Sequence, residues 1–172
     1  MRLLKLLVLT LSLTACASIP PGVEPVSGFE LERYLGQWYE IARLDHRFER
    51  GLDNVTAHYS LNDDGSVRVE NRGFSAEENQ GRNAVGKARL AGEEDVGKPD
   101  VSFFGQFYGP YVILELDKQD YQHAFVTSGG NALWLLARTP TISEALKAEF
   151  LEQVAAAGYA TNELIFVDQS KQ

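Results

Sequence analysis

The sequence predicts an all-β fold with one helix: an eight-stranded, up-and-down antiparallel β-barrel, with the helix packed outside it near the C-terminus and a short final strand. Three observations carry this. From Gly36 onward, short runs rich in Val, Ile, Phe, Tyr and Trp are broken by Gly, Asn and Asp about every 10 to 16 residues. No helical periodicity separates the runs, which excludes strand–helix–strand units and a parallel sheet. Helical spacing occurs once, at Ile142, Leu146, Phe150 and Val154.

The eight predicted strands span residues 37–44, 54–61, 67–74, 83–90, 100–104, 111–117, 121–127 and 132–138. Between them, Asn62-Asp63-Asp64-Gly65 and Ser128-Gly129-Gly130-Asn131 supply residues that tolerate positive φ, as tight turns between antiparallel neighbours require. Eight strands close into a barrel that leaves no exposed edge and encloses room for one small ligand. The helix is predicted over 141–157, with Thr141 and Glu144 as a capping box and Gly158 at the position after its C-terminus. Its single apolar stripe suits packing on the outer face of the sheet. Residues 164–167 read as the final strand.

The N-terminus does not belong to this fold. Arg2 and Lys5 precede an uncharged apolar run, Leu6 to Ala15, the pattern of an export signal. The run is shorter than the roughly 18 residues a spanning helix needs. Leu13-Thr14-Ala15-Cys16 resembles the bacterial lipobox, which implies cleavage before Cys16 and acylation of that residue. Several acyl chains anchor stably, since each buried CH2 contributes about 0.8 kcal/mol. The other reading of Cys16 is a plain thiol at the end of an export signal. Ala17 stands where an Asp signals inner-membrane retention in such lipoproteins, so the same resemblance implies the outer membrane, periplasm-facing. Three of the six prolines fall in 17–28, a tether. The expected organisation is a signal peptide at 1–15, the lipidated cysteine and tether at 16–28, and one barrel domain at 29–172.

Charge and composition narrow the partners. Sixteen Lys and Arg against 24 Asp and Glu give −8, and loss of residues 1–15 takes this to −10. With no basic cluster, a nucleic-acid partner is not expected. One cysteine in 172 residues permits neither an internal disulfide nor a cysteine-based zinc site.

Three motifs in order carry a family resemblance: Gly36-Gln37-Trp38-Tyr39 at the first strand, Asp120-Tyr121 before the seventh, and Arg138 at the end of the eighth. Together they resemble the lipocalins, although Gln119 replaces the usual Thr of the second motif. The stretches Arg33 to Gly51, Phe103 to Gly109 and Trp134 to Ser143 are similar to the bacterial outer-membrane lipoprotein subgroup in particular. The resemblance implies that Trp38 closes the barrel floor with Arg138 across its indole, a contact of roughly 0.5–2 kcal/mol. It also implies a binding protein for fatty acids or lysophospholipids.

Alternation then selects the cavity wall, since every second residue of a barrel strand faces inward. With Arg138 marking the inward parity, Trp134 and Leu136 face the cavity, and His123, Phe125 and Thr127 are the matching set in the preceding strand. Val112, Leu114 and Leu116 are the apolar choice in the sixth strand, with Tyr111, Ile113 and Glu115 as the alternative if a bulge shifts the register. Val101 and Phe103 complete the set. This wall suits an acyl chain with a polar head near the open end. In the loop after the first strand, His46, Arg47 and Arg50 are candidate contacts for a phosphate or carboxylate head group. Pairing of these cations with Asp45 and Glu49 is the other reading.

No catalytic constellation is present. Gly73-Phe74-Ser75-Ala76-Glu77 lacks the second glycine of a nucleophile elbow. His46, His58 and His123 lie in different elements without metal-ligand spacing. The sequence therefore implies no enzyme, no metal and no cofactor. Two alternatives stay open beside lipid binding: an envelope interaction protein with a filled barrel, and a haem or pigment carrier using His123. A homodimer also stays open.

Overall fold

The computed structural model describes residues 24–90, 96–104 and 107–170, of which 90, 99–104 and 107–108 are described in backbone alone. Cys16, with the predicted signal and most of the tether, lies outside the described residues. A one-turn helix α1 (Leu31–Tyr34) leads into strands β1 (Gly36–Leu44), β2 (Leu52–Leu61), β3 (Val67–Ser75), β4 (Gln80–Leu90), β5 (Pro99–Phe104), β6 (Phe107–Pro110), β7 (Val112–Leu116), β8 (His123–Thr127) and β9 (Leu133–Ala137). Helix α2 (Glu144–Ala156), a 3-10 turn (Thr161–Glu163) and β10 (Leu164–Phe166) follow.

All strands join one antiparallel sheet in the order β6-β5-β4-β3-β2-β1-β9-β8-β7, with β10 against β1. The two ends of this order, β6 and β7, are separated in the chain by Tyr111 alone. They form one strand broken at Pro110, which has no N–H to give a ladder. The sheet thus runs round to its own start, and its eight staves are the eight predicted strands.

Gly65 and Gly129 take positive φ in the two predicted turns, and Gly158 does so after α2. Tyr121 corrects one boundary. Its φ of 55° is incompatible with a strand, so the predicted seventh strand starts two residues later, at His123. The side chain of Asp117 organises this turn by accepting from the backbone N–H groups of Gln119, Asp120 and Gln122.

The helix boundary is also corrected. Ser143, not Thr141, is the N-cap, and its Oγ accepts from Leu146 N at 3.2 Å. The predicted stripe is the buried one: Phe150 and Val154 are fully enclosed, and Ile142 and Leu146 pack beside them against Ile41, Leu44, Leu133, Leu135 and Phe125 on the outer face of the sheet.

Candidate functional site

The inner face of the barrel holds a cavity of about 610 Å³. One end is closed. Trp38, fully buried, packs on Tyr34 of α1 with ring centroids 4.7 Å apart, and its Nε1 donates to Tyr34 O at 2.8 Å. The Arg138 guanidinium lies 3.8 Å from the Trp38 ring and donates to the carbonyls of Arg33, Gln37 and Tyr121. Those three bonds join α1, β1 and the turn before β8. Gly36, whose φ is 91°, stands beside this contact at the start of β1, where a Cβ would lie 3.5 Å from Arg138 Nη1, whereas Tyr39 packs on the outer core.

The wall follows from register, because residues directly paired across strands share a face. Trp134 pairs with Val126, and Leu136 with Ala124. Trp134, Leu136 and Val126 line the cavity. Phe125 pairs instead with Leu135 and stacks edge-on to Phe150 at 5.0 Å, so it belongs to the outer core under α2. The predicted inward set of β8 is thereby corrected. Thr127 is turned outward as well, donating to Ala132 O and accepting from Tyr159 OH. His123 shares that outer parity beside Phe125, outside the cavity, so it is not placed to serve as the interior haem ligand that the alternative reading assigned to it.

In β7 a bulge between Ile113 and Glu115 resets the alternation. Tyr111 and Ile113 face inward, Leu114 packs on the outer core, and Leu116 returns to the inner cluster. Val112, paired with the outward Thr127, is buried on the outer side. Val112 and Leu114 are corrected on this ground. The side chains of Val101 and Phe103 lie outside the description.

A second bulge, between Glu40 and Ala42, sends both Ile41 and Ala42 outward and turns Arg43 in beside Trp134. The result is a buried polar cluster on the cavity wall. Arg43, 1% exposed, donates from Nη1 to Glu40 Oε1 at 2.7 Å and from Nη2 to the carbonyls of Glu49 and Leu52. It thus holds both ends of the loop between β1 and β2. Glu49 Oε2 accepts from Trp134 Nε1 at 3.0 Å. His46 Nε2 lies 2.8 Å from the same oxygen, close in distance but poorly aligned for a hydrogen bond.

The two carboxyl groups titrate apart. Burial, reinforced by the charge of Glu49, raises Glu40 well above the ordinary carboxylate range, against the pull of Arg43. Burial also works to raise Glu49, but His46, Trp134 and Glu40 together hold it low. Among the described residues no group of three or more His, Cys, Asp and Glu side chains could hold a metal ion.

The candidate head-group residues divide. His46 lines the cavity but faces Glu49, and Arg50 pairs with Asp45 at 2.8 Å. Arg47 lies over the ring of Phe48 at 4.7 Å, and Phe48 itself is 61% exposed at the cavity's edge. Sequence reasoning missed Glu40, Asn71, Tyr34 and Tyr59, while Tyr111 belonged to the inward alternative for its strand. Glu40 was within reach, standing two residues beyond Trp38 on the same face of β1. Tyr34 and Tyr59 gave no signal distinguishing them from packing residues.

The tyrosines form one group. Tyr34 OH lies 2.8 Å from Tyr111 OH, and Tyr59 OH lies 3.0 Å from it. Tyr59 and Tyr111 line the cavity. Burial pushes all three phenols up, Tyr59 to about 12, so they are neutral hydroxyls at physiological pH.

Residues 29–169 match the family model for a lipocalin-like domain. The chain is 48% identical over 171 residues to an outer membrane lipoprotein Blc of Vibrio cholerae, covering 98% of this chain and 99% of that one. It is 46% identical to the Escherichia coli K12 protein of the same name, covering 90% and 89%. Among solved structures, insecticyanin from the tobacco hornworm Manduca sexta superposes with a TM-score of 0.70 at 20% identity, covering 86% of this chain and 85% of that one, which is a likeness of fold alone. The motif residues, the eight-stave closure and these matches agree: the chain belongs to the lipocalin family.

Proposed function

We propose that this protein is an outer-membrane lipocalin, anchored through Cys16 and facing the periplasm, that holds a fatty acid or lysophospholipid by its acyl chain. The observation that carries the reading is the cavity of about 610 Å³ walled by Trp134, Leu136, Val126, Val69 and Val55. An apolar wall around an enclosed space gains on burying hydrocarbon, at about 0.8 kcal/mol per CH2, and a chain of a dozen carbons outweighs the costs of binding. The space is also what a filled-barrel interaction protein would lack. The outer-membrane address is supported by the names of the relatives just described.

Delipidated protein, residues 17–172, is to be titrated with oleate and lysophospholipid while tryptophan fluorescence is followed. Saturation at one ligand per barrel, absent with a short-chain acid, is the expected result; no heat and no fluorescence change with either lipid would refute the reading. Trp134→Ala, which strips the cavity wall and the tie to Glu49, is expected to weaken oleate binding by roughly tenfold. Arg47→Ala should weaken it less, and the reverse order would put recognition at the mouth. Cys16→Ala is expected to move the protein from the membrane to the soluble fraction with its melting curve unchanged, and continued membrane association would overturn the anchor.

A further inference from the structure

The inner end of the cavity carries polar capacity that the described residues do not use. Three hydroxyls, Tyr34, Tyr111 and Tyr59, share two contacts, and none has another partner among the described residues. Each contact consumes one proton, so one O–H of the three is left to donate elsewhere whichever way the chain of bonds runs. Because Tyr59 and Tyr111 form the cavity wall, two of the three places that proton can occupy open onto the ligand space. On the adjacent strand, Val69 pairs with Tyr59, and two residues further along the same inward face stands Asn71, also in the cavity wall. Its Oδ1 is buried and has no donor among the described residues. A spare donor and an unused acceptor therefore stand on adjacent strands of the same inward face.

We infer that this inner wall is a subsite for a hydroxyl group on an otherwise apolar ligand, so that the cavity accepts hydroxylated acyl chains as readily as plain ones. The inference rests on the acyl-chain reading and adds to it a ligand class. A hydroxyl both donates and accepts, and so matches the unused acceptor of Asn71 as well as the spare proton of the tyrosines. A carboxylate matches less well: it has no proton for Asn71 Oδ1, and Arg138, the cation that acts on Tyr34 and Tyr59, is engaged across the Trp38 ring. Glu40 and Glu49 also act on Tyr59 from the same cavity, which further disfavours an anion here.

The test uses the delipidated full chain in amphipol, with hexadecanoate and 16-hydroxyhexadecanoate as probes. In the unmodified protein the two are expected to bind within about twofold of each other. A hydroxyl left unsatisfied in an apolar wall would cost the hydroxylated probe about tenfold or more, and that result would overturn the inference. In Tyr59→Phe/Tyr111→Phe, only Tyr34 keeps a hydroxyl, and it does not line the cavity. The expected outcome is a loss of about tenfold for the hydroxylated probe with hexadecanoate unchanged. Tyr59→Phe alone leaves the pair Tyr34 and Tyr111 with a spare proton, and should stay near parity. Asn71→Leu, on a different strand, should shift the ratio in the same direction as the double variant. Equal loss of both probes in the double variant would overturn the inference by placing their shared carboxylate at the tyrosines, and an unmoved ratio in both variants would overturn it outright. Absence of binding by either probe to the unmodified chain would instead strike the acyl-chain reading itself, and this inference with it.

Discussion

Trp38→Ala should lower the melting temperature by roughly 10–15 °C. Removal of a fully buried tryptophan costs about 3–5 kcal/mol, and for a domain of this size each kcal/mol moves the midpoint by about 2–4 °C or somewhat more. The loss here exceeds simple cavity formation. The indole is the surface on which the Arg138 guanidinium rests, and its Nε1 supplies the bond to Tyr34 O that secures α1 across the closed end. Without it, Arg138 would keep its three carbonyl partners but lose the aromatic face, and Tyr34 would lose both a ring contact and a donor. Trp38→Phe keeps part of the face and none of the donor, so it should fall between the two. Differential scanning calorimetry on the three proteins decides the matter, and a drop below about 3 °C for the alanine variant would show that the closed end is not held this way.

Arg43→Ala should cost about 3–5 kcal/mol at neutral pH, because it strips a buried carboxyl of its partner and takes a charged donor from the carbonyls of Glu49 and Leu52. Its cost should depend on pH with a definite sign. Glu40 already has its folded pKa raised, so its contribution is fully present below the unfolded value and is lost as pH rises through the folded one. Arg43 is what pulls Glu40 down, so without it the folded pKa climbs further and the penalty at neutral pH deepens. The deficit should therefore shrink between pH 7.5 and pH 5. Glu49 behaves oppositely: with its folded pKa lowered, its contribution is present above the unfolded value and is lost only as pH falls through the folded one, in more acidic solution. Urea midpoints at the two pH values measure the effect. A deficit independent of pH would mean that Arg43 acts through the loop carbonyls and not through Glu40. Arg43→Leu/Glu40→Leu, which removes both charges, should recover much of the stability lost by Arg43→Ala.

Much of this architecture was legible in the chain, and the failures have one physical source. Gly36, Trp38 and Arg138 identified the closed end, and the spacing of Phe150 and Val154 identified the buried face of α2. Alternation, by contrast, is reliable only between irregularities. The bulge at Ile41 restores Arg43 to the interior, and the bulge at Leu114 swaps the sides of β7, so a parity carried across either is inverted. Neither bulge is marked by a glycine or proline. Phe125 was misplaced for a different reason: an aromatic side chain suits the outer core under α2 as well as the inner wall, and only its pairing with Leu135 separates the two. The polar cluster of the wall was hidden because Glu40 and Arg43 are three residues apart, a separation that faces opposite ways in a regular strand.

The bonds made by Arg138 also bear on the order in which the barrel assembles. Its guanidinium reaches carbonyls 101 and 105 residues earlier in the chain, at Gln37 and Arg33. Loop closure of that length has to be met before those contacts can return anything, so the closed end, although it lies nearest the N-terminus, cannot be completed until a residue that leaves the ribosome late has been made. A chain interrupted before residue 138 would carry the pieces of the closed end without the side chain that ties them together.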